Sequence, residues 1–176
     1  LNRRKSRQRG FISALDRLNK LCMHETPYSG RFEDGAHLFA LRVYFEDTDA
    51  GGVVYHATYL RFMERARSDM MRVAGIDQRG TMERGEGNYV VTGMTIRYRA
   101  PARLDDELII VSRVGNMRGA LCVVHQRVMR GTETVAEAEV SVALVGPDGR
   151  PKRQPRHWIE TFERLNGRTI ERDGLN

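Results

Sequence analysis

At 176 residues, with 40% apolar and 30% charged residues, the chain has a globular composition and a length that fits one domain plus extensions. No apolar run approaches the ~20 residues that cross a bilayer as a helix, so no transmembrane helix is expected. The net charge of +6 is uneven: residues 1–36 hold eight Lys/Arg against four Asp/Glu, which leaves the remainder nearly neutral and argues against a nucleic-acid-binding fold.

Residues 1–36 read as a basic, partly disordered extension. Phe11, Ile12, Leu15, Leu18 and Leu21 offer one short amphipathic helix before Pro27, Gly30 and Gly35 break regular structure. A tail of this charge is either a solvated extension or a peripheral contact with an anionic membrane surface. The run Arg3, Arg4, Lys5, Arg7 and Arg9 leads to only a brief apolar stretch before Asp16, which is not a secretory signal. Cys22 and Cys122 lie far apart without CxxC spacing or a His cluster, so no metal is expected and a cytoplasmic location is the default.

The main domain is expected over 37–165, with a tail at 166–176. Phe39, Leu41, Val43 and Phe45 alternate with Ala40, Arg42, Tyr44 and Glu46, the period of a strand with one buried face. Tyr59, Phe62, Met63, Ala66, Met70 and Val73 then recur every three or four residues, predicting a helix from about His56 to Ala74 that ends at Gly75. A polar loop is predicted around Gly80–Gly87. Four strand patterns follow, Asn88–Arg99, Glu107–Val114, Ala120–Arg130 and Glu133–Val145, with Gly115-Asn116 and Gly119 at one hairpin connection and Gly131-Thr132 at the next. Trp158, Ile159, Phe162 and Leu165 suggest a short closing helix. One strand, a long helix and four strands make an α+β fold, with one curved antiparallel sheet around the helix. Ile109 and Val111 are expected on the far sheet face, where a second subunit would cover them.

Between the first strand and the long helix lies Glu46-Asp47-Thr48-Asp49-Ala50-Gly51-Gly52-Val53-Val54-Tyr55-His56. This sets carboxylates beside a helix N-terminus, whose unpaired N–H groups stabilise developing negative charge. Asp47, just before a turn, reads as a structural acid that accepts local backbone hydrogen bonds. Taken by itself, Asp49 is equally a turn acid or a base or nucleophile. Gly51 and Gly52 permit the turn or the close approach of a substrate.

The run from Arg42 through Asp49, Gly51-Gly52 and His56 to Glu64-Arg65-Ala66-Arg67 resembles the 4-hydroxybenzoyl-CoA thioesterase family, in particular its Tol-Pal-associated acyl-CoA thioesterase branch. Tyr98-Arg99-Ala100-Pro101-Ala102-Arg103-Leu104-Asp105-Asp106 and Met117-Arg118-Gly119 extend the likeness, which covers roughly residues 38–146. The resemblance implies a hotdog fold, a five-stranded antiparallel sheet wrapped around one central helix, assembled as a homodimer or homotetramer. It implies hydrolysis of an acyl-CoA thioester without a cofactor, and Tol-Pal or lipid-synthesis proteins as partners. Asp49 matches the family's catalytic carboxylate. The amide of His56 matches the group that meets the thioester carbonyl, with Gly52 and Tyr55 beside it, and the His56 imidazole is a separate catalytic candidate. Glu64 is a secondary candidate, either reaching the cleft or pairing with Arg67 or Ser68 on the helix surface. Arg118 is either a phosphate contact for coenzyme A or a solvated hairpin arginine; the family's basic cluster is reduced here to this one residue. Two rival functions are a hydratase or dehydratase pairing His56 with Glu64, and a non-catalytic scaffold.

Overall fold

The computed structural model describes residues 26–167, so the short helix expected within Phe11–Leu21, the basic run and Cys22 lie outside the described residues. In chain order the elements are β1 (Arg31–Glu33), β2 (Ala36–Arg42), a 3-10 turn (Phe45–Asp47), α1 (Thr58–Val73), α2 (Gln78–Glu83), β3 (Asn88–Tyr98), β4 (Glu107–Arg118), β5 (Leu121–Arg130), β6 (Glu133–Val145) and α3 (Arg156–Leu165). All neighbouring strands are antiparallel, in the order β1-β2-β4-β5-β6-β3. The sheet thus has six strands rather than the expected five.

The added strand lies inside the segment expected as an extension. Asp34 and Gly35, both at positive φ, close a two-residue hairpin between β1 and β2, a geometry matched to the twist of antiparallel strands. A buried cluster then fixes the hairpin to α1. His37 donates or accepts at 3.0 Å from Asp69, and the same carboxylate accepts the Gly30 N–H at 2.7 Å and a guanidinium N–H of Arg72 at 3.0 Å. Both His37 and Asp69 are buried. Gly30 has no room for a side chain, since a Cβ there would fall on the Leu38 carbonyl and 2.6 Å from the His37 ring.

α1 lies across the concave face of the sheet. Phe62, Met63 and Ala66 are at most 1% exposed and pack with Leu108, Ile110 and Val140 of the strands. Burying each large apolar side chain contributes on the order of 1.5–3 kcal/mol. Gly75, at φ 77, ends the helix as its place after the apolar stripe predicts.

Several boundaries depart from the sequence reading. β2 ends at Arg42, and Phe45, expected on the buried face of that strand, is 81% exposed on the 3-10 turn. The Asp47 carboxylate bends the chain there by accepting the Tyr44 N–H at 2.9 Å. The Gly80–Gly87 loop includes most of α2, whose start is capped by Asp77 accepting the Gly80 N–H at 3.0 Å. Gly115-Asn116 forms an irregularity within β4, which continues to Arg118, and of the expected connection only Gly119, at φ 59, lies in the turn. On the far face, Ile109 is 41% exposed between Ala40 and Met129, and Val111 is half-buried at the end of a charged row in which Arg97, Glu137 and Arg127 align across three strands, beside His125 and Glu139.

Candidate active site

The segment after β2 is organised by backbone pairing. Thr48 bridges Val54, the Asp49 N–H donates to Val53 O at 2.9 Å, and the Gly52 N–H donates to Asp49 O at 2.9 Å. Gly52 takes φ 72, a conformation that a side chain disfavours. The result is a tight hairpin with Asp49 near its tip and the α1 entrance at its base. Asp47 is buried below it, and its carbonyl accepts the Tyr55 N–H at 2.9 Å. The carboxylate of Asp47 is therefore occupied in shaping the turn, in agreement with its structural reading.

Asp49 is exposed. Its Oδ1 accepts the Gly51 N–H at 2.8 Å, and its other oxygen has no hydrogen-bond partner among the described residues. One oxygen orients the carboxylate while the other is available to a substrate or water.

α1 begins at Thr58, two residues after the expected position, so His56 and Ala57 form the turn into the helix. The Thr58 N–H bonds Tyr55 O at 2.8 Å, and the Leu60 N–H bonds Ala57 O at 3.1 Å. The N–H groups of His56 and Ala57 have no acceptor among the described residues. They leave a donor-rich, electropositive helix entrance directly after the Asp49 hairpin in the chain. The Tyr98 hydroxyl donates to His56 O at 3.0 Å. The Ala102 N–H donates to the Tyr59 hydroxyl at 3.2 Å while Ala102 O accepts the Val54 N–H at 2.8 Å. Tyr98 and Ala102 belong to the second stretch of the sequence likeness, where no role was assigned to them; their partners lie about 40 or more positions away and only the fold brings them together.

The remaining candidates separate. The Tyr55 and His56 rings lie 4.3 Å apart, and no carboxylate pairs with the His56 imidazole among the described residues. Glu64 instead pairs with Arg67 and accepts the Ser68 hydroxyl at 3.3 Å, the surface alternative of the sequence reading. Arg67 is itself buried and donates to Gln126 at 2.5 Å, and Gln126 donates to Met63 O and to Ser112. Arg118 is the last residue of β4, whose first residue, Glu107, pairs with Arg42 beside the hairpin. At about 3.3 Å per residue that separates Arg118 from the hairpin end of the sheet by roughly 36 Å in one chain. Among the described residues no cluster of three or more His, Cys, Asp or Glu is placed to hold a metal.

The sequence is 45% identical over 125 residues to the "Acyl-CoA thioester hydrolase YbgC" of Escherichia coli O157:H7, which covers 70% of this chain and 92% of that one. The thioesterase superfamily profile matches residues 51–137. The chain belongs to the thioesterase superfamily. The "Acyl-CoA thioesterase YbgC" of Haemophilus influenzae is 44% identical over 112 residues, 64% of this chain and 82% of that one. A probable thioesterase from Bartonella henselae superposes with a TM-score of 0.65 at 37% identity, covering 68% of this chain and 99% of that one. The superfamily's hotdog fold is the sheet and central helix described above, with the β1–β2 hairpin accounting for the sixth strand.

Proposed function

We propose that the protein hydrolyses an acyl-CoA thioester to the free acid and coenzyme A thiol, with Asp49 as the catalytic carboxylate. The observation that carries this reading is that one hairpin-to-helix segment holds both a carboxylate with one oxygen unpartnered and a helix entrance with two N–H groups unpartnered among the described residues. In this reading the His56 amide donates to the thioester oxygen, and charge developing there is met by donors already in place. Gly52 and Tyr55 line the approach.

Asp49 acts by one of two routes. As general base it takes a proton from water, the hydroxide adds to the carbonyl, and the C–S bond breaks as the thiolate accepts the proton. As nucleophile it forms a mixed anhydride while the thiolate leaves, and water then cleaves the anhydride. One turnover in 18O-water separates them, because the second route can place label in Asp49.

The hydratase alternative asks for a His–acid pair, whereas Glu64 is engaged by Arg67 and Ser68. A scaffold without catalysis leaves the half-free carboxylate and the open helix entrance unused.

A second copy is part of the proposal. β3 is an eleven-residue edge strand with Val90 and Val91 exposed, and an uncovered edge of this length invites pairing. The register places the start of β3 beside the β4–β5 turn and its end, Tyr98, beside the α1 entrance. Antiparallel pairing of two β3 edges therefore carries the partner's Arg118 toward this chain's Asp49. A cytoplasmic location, a membrane contact through residues 1–36 and Tol-Pal or lipid-synthesis partners complete the reading, on composition and resemblance; no helix among the described residues is long and apolar enough to cross a membrane.

The test is thiol release from butyryl-, palmitoyl- and benzoyl-CoA by the wild type and Asp49→Asn. Wild-type release that falls about 10²-fold or more in the variant supports the assignment. No release from any ester refutes the activity, and a full rate in Asp49→Asn refutes the residue.

A further inference from the structure

A cavity of about 70 Å³ lies between α1 and the sheet, closed on one side by α3. Its lining grades from wet to dry, apart from the buried Arg67, whose guanidinium is taken up by Gln126 and Glu64. Glu64, Gln78, Val90 and Val91 are exposed at the mouth, whereas Cys122, Val142 and Phe162 are buried at its inner end. Burial pushes the Cys122 thiol up to about 12, so it is a neutral, weakly polar wall. The inner end is thus an apolar recess reached from solvent, where an apolar group is stabilised by leaving water.

Resting on the acyl-CoA reading above, we propose that this cavity receives the distal end of the acyl group, and that Phe162 of α3 is the floor that limits its length. The mouth residue Glu64 lies six positions beyond Thr58 on the same helix, about 9 Å along its axis. An extended acyl chain whose carbonyl meets the His56 amide runs along α1 and reaches the mouth with its far carbons. The occupant is aliphatic. At about 70 Å³ the space is roughly half the ~150 Å³ of a cavity that accepts a benzene ring, which favours a thin alkyl end over a ring. Phe162 and Val142 lie outside residues 51–137, so the floor is built from chain beyond the superfamily match. Trp158, one turn before Phe162, is buried against Tyr89 at 5.8 Å between rings, which anchors α3 in place.

The experiment is a kcat/KM profile over butyryl-, octanoyl-, palmitoyl- and benzoyl-CoA for the wild type, Phe162→Ala, which deepens the cavity, and Cys122→Leu, which fills it. A methylene gained or lost in an apolar pocket changes kcat/KM about tenfold or more. Phe162→Ala is expected to raise the palmitoyl-to-octanoyl ratio by that factor, and Cys122→Leu to lower the same ratio similarly. The two substitutions act on packing in opposite senses, so loss of folding in one leaves the other decisive. If the wild type releases thiol but either folded variant keeps the wild-type length profile, or benzoyl-CoA is the best wild-type substrate, the cavity assignment is overturned and the thioesterase reading stands. If the wild type releases no thiol from any ester, both fall together.

Discussion

The Tyr98 hydroxyl reaches 42 positions back along the chain to donate its hydrogen bond to the His56 carbonyl, so the end of an edge strand holds the peptide that opens α1. Tyr98 touches neither free N–H group itself and acts by positioning them. Tyr98→Phe is expected to lower kcat several-fold with KM nearly unchanged, and to cost stability only about 0.5–1.5 kcal/mol. Steady-state kinetics beside a urea titration check this; a rise in KM at constant kcat would assign Tyr98 to substrate binding instead.

Asp47 and Asp49 are two residues apart and are expected to fail in different ways. Asp49 is exposed and makes one local bond, so Asp49→Asn should change stability by no more than about 0.5 kcal/mol while abolishing most activity. Asp47→Ala removes a buried carboxylate and strips the half-buried Tyr44 amide of its acceptor, at a cost on the order of 1 kcal/mol. Thermal melts of both variants, with thiol release at a temperature where each is folded, separate the roles.

Arg67 ties α1 to the sheet through Gln126, and each partner is costly to remove alone. Arg67→Met is expected to destabilise by about 1–3 kcal/mol because Gln126 Oε1 loses its buried donor. Gln126→Leu should cost at least as much, since it leaves the guanidinium buried with one fewer acceptor. The double variant is expected to be more stable than the sum of the two changes, a coupling that a double-mutant cycle measures.

His37 sets a pH dependence of stability. Burial pushes its imidazole below the ordinary value, and the Asp69 hydrogen bond and charge only partly offset this. The unfolded chain therefore takes up a proton near pH 6.5 while the folded chain remains neutral, so the unfolded state binds more protons in the window below that value. The contribution of His37 to stability is whole above about pH 6.5 and declines as the pH falls toward the depressed folded value. Urea midpoints measured between pH 8 and pH 5, with the His37 ring followed by NMR, should show this decline; a His37 resonance titrating above the ordinary value would reverse the sign.

Periodicity made the long strands and α1 legible, because a stripe such as Phe62, Met63, Ala66 and Met70 repeats often enough to outweigh local noise. β1 and α2 are too short to show a period: three residues in one and six in the other, each beside glycine. Phe45 misled because alternation continues past the point where Asp47 turns the backbone. At the candidate site, the hairpin and helix entrance could be read from Asp49 to His56 as one continuous segment. The pairs His37–Asp69 and Arg67–Gln126 were hidden, since their members are 32 and 59 positions apart and nothing local distinguishes them from surface charges.

The clasp formed by Gly30, His37 and Asp69 also fixes where the chain joins the sheet. Asp69 stands eleven residues beyond Thr58, roughly 17 Å along α1 from its entrance. A fluorophore, affinity tag or tether attached at residue 26, four positions before Gly30, is thus moored toward the far half of the helix. It can report on or immobilise the protein away from the Asp49 hairpin and the entrance of α1.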